Sequence, residues 1–262
     1  MSVFSLRVVF FMVLTSAYSL AAVAEPDWAH NFDVTVQAGL TEINTEQNAS
    51  YQTNFGYPET QQMHQTNQLQ NFIYSAGVGY IYALPTPQNN LHWLPATETA
   101  LNFSQFLQTT AKGQINQDAT DPPTYNYNYN LPLNSMRLML DEKLFILSWH
   151  HILPFVMAGL GPSYDEVGYH DSVSSAQDNG AITLNNHYFW QFAWEVGAGA
   201  QYQLTQQWSV GLTYLYTDLG QWSSSSSGTI DRDTDNQAFN LAAPAKFNVN
   251  SSTELLAVTY RF

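Results

Sequence analysis

The residues in this 262-residue chain that could carry chemistry are few: 21 acidic side chains against seven bases, seven histidines, and several closely spaced glycines. Asp231, Asp233 and Asp235 space three carboxylates like the start of a calcium loop, but the glycine at the sixth position and the glutamate at the twelfth are missing. They read as a solvated acidic segment, suited to loose divalent-cation binding. Gly77-Val78-Gly79, Gly159-Leu160-Gly161 and Gly197-Ala198-Gly199 could suggest a dinucleotide loop, yet none has a third glycine three residues on and none opens a helix. His150 and His151 are adjacent, so on a strand they would face opposite ways, and beside Trp149 they mark a turn. The absence of cysteine excludes disulfides and thiolate metal sites. No cofactor is implied.

The elements that must position these residues have period two. Phe32, Val34, Val36, Ala38 and Leu40 alternate with Asp33, Thr35, Gln37, Gly39 and Thr41. The same alternation runs from Phe72 to Tyr82, from Trp93 to Phe103, from Ser135 to Leu140, from Phe155 to Gly161, from Trp190 to Tyr202, from Trp208 to Tyr214, and finally through Leu256, Val258, Tyr260 and Phe262. Each segment has one greasy face and one polar or small face, because successive side chains of a strand point to opposite sides. Eight such segments, each near the ~9–11 residues that cross a bilayer as a tilted strand, predict a membrane barrel. Short links alternate with long polar stretches, roughly 42–71, 104–130, 163–187 and 219–246, which read as four long outer loops.

The ends and composition agree. Arg7, the apolar run Val8–Leu14 and Ala22-Val23-Ala24 resemble a secretory leader, so residues 1–24 are expected to be a cleaved signal peptide and 25–262 a single barrel domain. A formal charge of −14 repels phosphate backbones and argues against nucleic acid as a partner. Aromatic residues at 15% exceed charged residues at 11%, as expected when a large surface faces lipid. Trp28, Trp93, Trp149 and Trp208 each lie at or before an upward strand and are expected to form a periplasmic aromatic girdle. Gly39, Gly77, Gly79, Gly159, Gly161, Gly197, Gly199 and Gly211 all have inward parity, which suits an interior only wide enough for side chains.

Tyr214-Leu215-Tyr216-Thr217-Asp218-Leu219-Gly220 and the terminal Tyr260-Arg261-Phe262 resemble the eight-stranded barrels of the outer-membrane protein A and opacity-type families. The resemblance implies an all-β, antiparallel, up-and-down barrel in the outer membrane of a Gram-negative bacterium, with short periplasmic turns. It implies surrounding lipid and lipopolysaccharide, and a C-terminal signal (Val258, Tyr260, Phe262) read by the barrel assembly machinery. It also implies a structural or adhesive role through the acidic loops toward a host-surface ligand or divalent cations. The first alternative is a narrow channel for small or hydrophobic solutes, like the outer-membrane protein W family; the second is a lipid-modifying enzyme. The enzyme would need a histidine with a serine on the lipid-facing wall, whereas His92 and His187 have inward parity. Asp33, Glu98, Arg137, Glu195 and Arg261 share inward parity and are expected to form a lumen ion network, with Glu98 paired to Arg137.

Overall fold

The computed structural model describes residues 31–45, 49–54, 58–83, 93–116, 125–173, 180–232 and 235–262. The expected leader, Trp28, His92 and Asp233 lie outside the described residues. Twelve strands are present among them: β1 (Asn31–Thr45), β2 (Ser50–Asn54), β3 (Pro58–Gln65), β4 (Leu69–Ala83), β5 (Trp93–Asn116), β6 (Tyr125–Leu147), β7 (Ile152–Val173), β8 (Ala181–Gln203), β9 (Trp208–Ser223), β10 (Ser227–Arg232), β11 (Asp235–Asn240) and β12 (Lys246–Arg261).

Eight of them close an antiparallel ring in the order β1-β4-β5-β6-β7-β8-β9-β12. Closure comes from β12 returning to β1, with Val34 opposite Tyr260 and Val36 opposite Val258. The β6–β7 and β8–β9 turns at one end are tight. Trp149 and Ile152 exchange backbone hydrogen bonds of 3.0 and 2.8 Å across His150 and His151. Both histidines have positive φ (48° and 68°), the backbone of a two-residue primed turn, whose twist matches that of the flanking strands.

The parity expected for all eight segments holds. Outward Phe32, Leu40, Leu212 and Leu256 are exposed, and inward Asp33, Thr41, Thr213 and Thr259 are buried. The long connections between the segments contain more strand than their polar sequences suggest. β5 through β8 are 22 to 24 residues long, roughly 55 Å of tilted strand against an apolar band of about 25 Å. Most of the stretches expected as loops are continuing strand, and the β2–β3 and β10–β11 hairpins sit within two of them.

The physical reason is a reversal of sidedness. In the lower half of the ring apolar side chains point out and polar ones in. Higher up, the inward positions become apolar: Leu131, Leu133, Val167 and Tyr169 are buried, while outward Asn128 and His170 are exposed. The upper barrel therefore has the pattern of a water-soluble sheet, with its own core of Ile43, Leu69, Phe106, Ile115, Trp222 and Phe247. β3 extends this sheet from β5 and β10 extends it from β8. The first hairpin is stitched to the chain before β12, where the Gln52 amide donates to Ala243 O at 2.9 Å and Gln52 O accepts from Ala242 N at 2.8 Å.

Candidate functional site

The lumen is filled in layers. Nearest the tight turns, Lys143 Nζ donates to Glu98 Oε1 at 2.7 Å. The register explains it, since Glu98 on β5 stands directly across from Lys143 on β6. The ammonium also lies 5.1 Å from the Phe155 ring centre and 5.9 Å from that of Phe145. Asp33 faces Arg261 across the closing seam and Gly79 on its other side. Ile81, Ala96, Phe145, Leu153 and Phe155 pack as the apolar part of this layer.

A second polar layer lies above it. Arg137 stands across from Ser104, and its Nε donates to Ser104 Oγ at 3.2 Å. Arg137, Asp141 and Glu195 line one small cavity with Asn102, Ser75 and Thr213. Asn102 donates to Asp141 Oδ2 at 2.6 Å, and the other oxygen of Asp141 projects over Gly159, where a Cβ would collide with it. Asp165 closes the layer from above, accepting from Ser163 at 2.7 Å and from Gln191 at 2.8 Å.

Asp33, Glu98, Arg137, Glu195 and Arg261 are thus all buried on the inner face, but in two layers. The expected Glu98–Arg137 pair does not form, because six rungs of the β5–β6 ladder separate Lys143 from Arg137. Lys143 and Asp141 were missed because the fourth segment ended at Leu140, although counting on in twos from Arg137 reaches both. Asp165 was missed because it was placed in a loop.

Trp149 and Trp208 are exposed at the turn end, Trp208 packing on Tyr260 at 4.9 Å and Tyr260 on Phe262 at 5.1 Å. Trp93 begins β5. Phe262 is itself tied down, its amide donating to Phe32 O at 3.0 Å. His187 lies within β8, not at its end, with Nδ1 2.9 Å from Ser223 O.

A polar group of another kind sits on the outer wall. Glu142 has the parity of exposed Leu138 and Leu140, and its carboxylate accepts hydrogen bonds from Tyr82 (3.0 Å), Thr97 and Thr99 (2.6 Å). Three hydroxyls there satisfy a carboxylate that lipid would not solvate. No group of three or more histidine, cysteine, aspartate or glutamate side chains able to hold a metal occurs among the described residues.

The comparisons with known proteins agree with this architecture. No curated protein sequence matches significantly. Among solved structures, the chain is similar to Neisserial surface protein A, at 12% identity over 88% of this chain and 97% of that one, with a TM-score of 0.38. It is also similar to the outer membrane protein OprG from Pseudomonas aeruginosa, at 12% identity over 90% and 98% of the chains (TM-score 0.45). A third is Ail, the attachment invasion locus protein of Yersinia pestis, solved with the heparin analogue sucrose octasulfate, at 12% identity over 88% and 99% (TM-score 0.36). The family model for the outer membrane protein beta-barrel domain matches residues 10–247. With the closed eight-stranded ring, this places the protein in the outer membrane of a Gram-negative cell: the chain belongs to the outer membrane protein beta-barrel domain family.

Proposed function

We propose that this protein is a non-enzymatic surface barrel that acts, structurally or adhesively, through the ordered sheet it raises above the membrane. The observation that carries the reading is the upper barrel itself. Four ring strands continue to 22–24 residues, two hairpins extend their sheet, and a single apolar core fills it. A binding platform held rigid before its partner arrives loses less conformational entropy on binding. The filled lumen supports a closed barrel over a pore, since Glu98–Lys143 with Phe145 and Phe155 occupies the turn end and Trp222, Phe106 and Phe247 the other.

The testing experiment compares the purified barrel with a variant lacking both hairpins, residues 46–67 and 224–245, on panels of host-surface glycans, matrix proteins and lipopolysaccharides. Binding that disappears with the hairpins is the expected result. Stepwise conductance of the intact protein in planar bilayers would move the assignment to a narrow channel. A change in lipid A mass in expressing cells would move it to an enzyme.

A further inference from the structure

The barrel wall is not paired along its whole height. β8 and β9 share a ladder from Gln203 opposite Ser209 up to Trp194 opposite Asp218. On that side β8 finds a partner again only at Ala181–Leu184, against β10. Between these points, residues 185–193 of β8 have no ladder partner on β9 or β10 among the described residues. β9 diverges because it carries an extra residue: Leu219 and Gly220 stand opposite Val249 alone on β12. Gly220 takes φ +74°, a conformation that residues with a Cβ avoid. Asp218 pins the fork, its Oδ1 accepting from the Gly220 amide at 2.8 Å and its Oδ2 from the Trp194 indole at 3.1 Å.

Side chains, not backbone, span the seam above the fork. His187 reaches Ser223 O, and the Phe189 ring meets Trp222 edge-on at 6.0 Å. Gln191 lies beside Gly220, held by its hydrogen bond to Asp165. His187, Phe189 and Gln191 point into the barrel, yet each is partly exposed, whereas inward Val167 and Leu133 on the neighbouring strands are 0% exposed. The apolar interior therefore reaches the surface here, with fully buried Trp222 as its floor.

Height decides what meets the slot. Ala193 lies ten residues above Gln203, roughly 25 Å along the axis at ~3.3 Å per residue and ~40° tilt. That is the upper margin of the apolar band. Unpaired backbone lower down would sit in hydrocarbon, where nothing could satisfy it. Outside, Tyr188, Trp190 and Phe192 are exposed, and Tyr164 packs on Trp190 at 4.9 Å and on Tyr188 at 6.1 Å. Such aromatics settle at the headgroup level. The lipid-facing wall runs directly into the slot, since Phe192 outside and Phe189 inside are three residues apart on β8.

We infer that this slot is a lateral binding site for an acyl chain of an outer-leaflet lipid, which enters between β8 and β9 and lies against Phe189 and Trp222. The occupant is an acyl chain because the floor and rim are aromatic and lipid is what this wall abuts. Rotation of Gln191, held by one hydrogen bond, opens the path.

The test uses the full-length barrel in liposomes containing a phospholipid with a photoactivatable diazirine near the end of one acyl chain. Adducts are mapped by peptide mass analysis. Outward residues such as Phe192 label in any case and serve as the internal reference. Labelling of inward Phe189 and Trp222 is expected, falling about tenfold relative to Phe192 in Gln191→Trp, which fills the slot. Labelling confined to outward residues in the unmodified protein overturns the inference, whether or not Gln191→Trp folds. A diazirine fatty acid added from water is the second arm. Inner labelling by the fatty acid alone would show that the site takes a soluble amphiphile and would overturn the membrane-lipid assignment.

Discussion

Lys143 and Glu98 meet at 2.7 Å inside the barrel, directly across from each other on neighbouring strands, with side chains only 14% and 3% exposed. A lone ion in so narrow an interior would be strongly destabilising. The pair is held by register, since neither residue can shift without moving the whole β5–β6 ladder. The two phenylalanine rings beside the ammonium exclude water from it and add a cation–π contact.

Removing one partner should therefore leave an unpaired buried charge. Lys143→Met and Glu98→Gln are each expected to lower unfolding stability by about 3–5 kcal/mol in urea titrations in detergent micelles or liposomes, and the double variant by clearly less than the sum. Arg137→Met with Glu98→Gln should instead be additive, because Arg137 belongs to the other layer. Coupling between Glu98 and Arg137, with none between Glu98 and Lys143, would contradict the register.

The strand count, the ring order and the inward parity were legible in the sequence because lipid imposes one simple pattern, apolar outside at every second position. The upper barrel was not legible, because the pattern reverses there without changing parity. Tyr129, Leu131 and Leu133 continue the inward series of Ser135 and Arg137, but a search for outward apolar residues reads Asn128 and Asn130 as loop. The same reversal hid Asp165, whose carboxylate is buried although its segment is rich in polar residues. Pairing was harder than parity: Glu98 has three inward bases among its candidates, and only the β5–β6 register selects Lys143. The β8–β9 fork has a faint signal in Asp218-Leu219-Gly220, but nothing in one sequence says that the neighbouring strand continues alone.

The reversal can be tested on one face of one strand. Leu138 and Asn128 are both exposed, ten residues apart on β6 with the same outward parity. Leu138→Arg should destabilise by about 2–4 kcal/mol, the penalty for a charge facing the bilayer interior. Asn128→Arg faces water and should change stability by less than about 0.5 kcal/mol. Equal penalties in a folding assay into lipid vesicles would mean that the membrane boundary lies elsewhere.

Orientation is tested by labelling intact cells. The four-residue β8–β9 connection at Leu204–Gln207 is closed by Thr205, whose hydroxyl accepts from the amides of Gln207 (3.2 Å) and Trp208 (2.9 Å). Ser225 lies at the opposite end of the barrel, beside the β10–β11 hairpin. Because the chain contains no cysteine, Ser225→Cys and Gln206→Cys each give a unique thiol. A membrane-impermeant maleimide should modify the first in whole cells and the second only after lysis. The reverse result would invert the topology.

The upper core contains one acid whose ionisation should be visible. Asp171 is buried well above the membrane band, its Oδ2 accepting from Tyr169 OH at 2.9 Å and its Oδ1 from the Ile182 amide at 2.5 Å. Burial pushes its carboxyl up to about 7, although those two donors pull it back. Burial also raises the Tyr169 and Tyr51 hydroxyls, which lie 3.1 Å apart, so both stay protonated throughout the range that matters. Because the folded chain holds the Asp171 proton more tightly than the unfolded chain, whose pKa is about 4, stability is greatest below that value. It should decline as pH rises from about 4 to about 7 and level off above. Hydrogen exchange at the Ile182 amide, corrected for its intrinsic pH dependence, is expected to slow on acidification from pH 8 to pH 5. Asp171→Asn keeps an oxygen for that amide and removes the titration, so its corrected exchange should be flat across the same range. A pH response that survives in Asp171→Asn would assign it to another group.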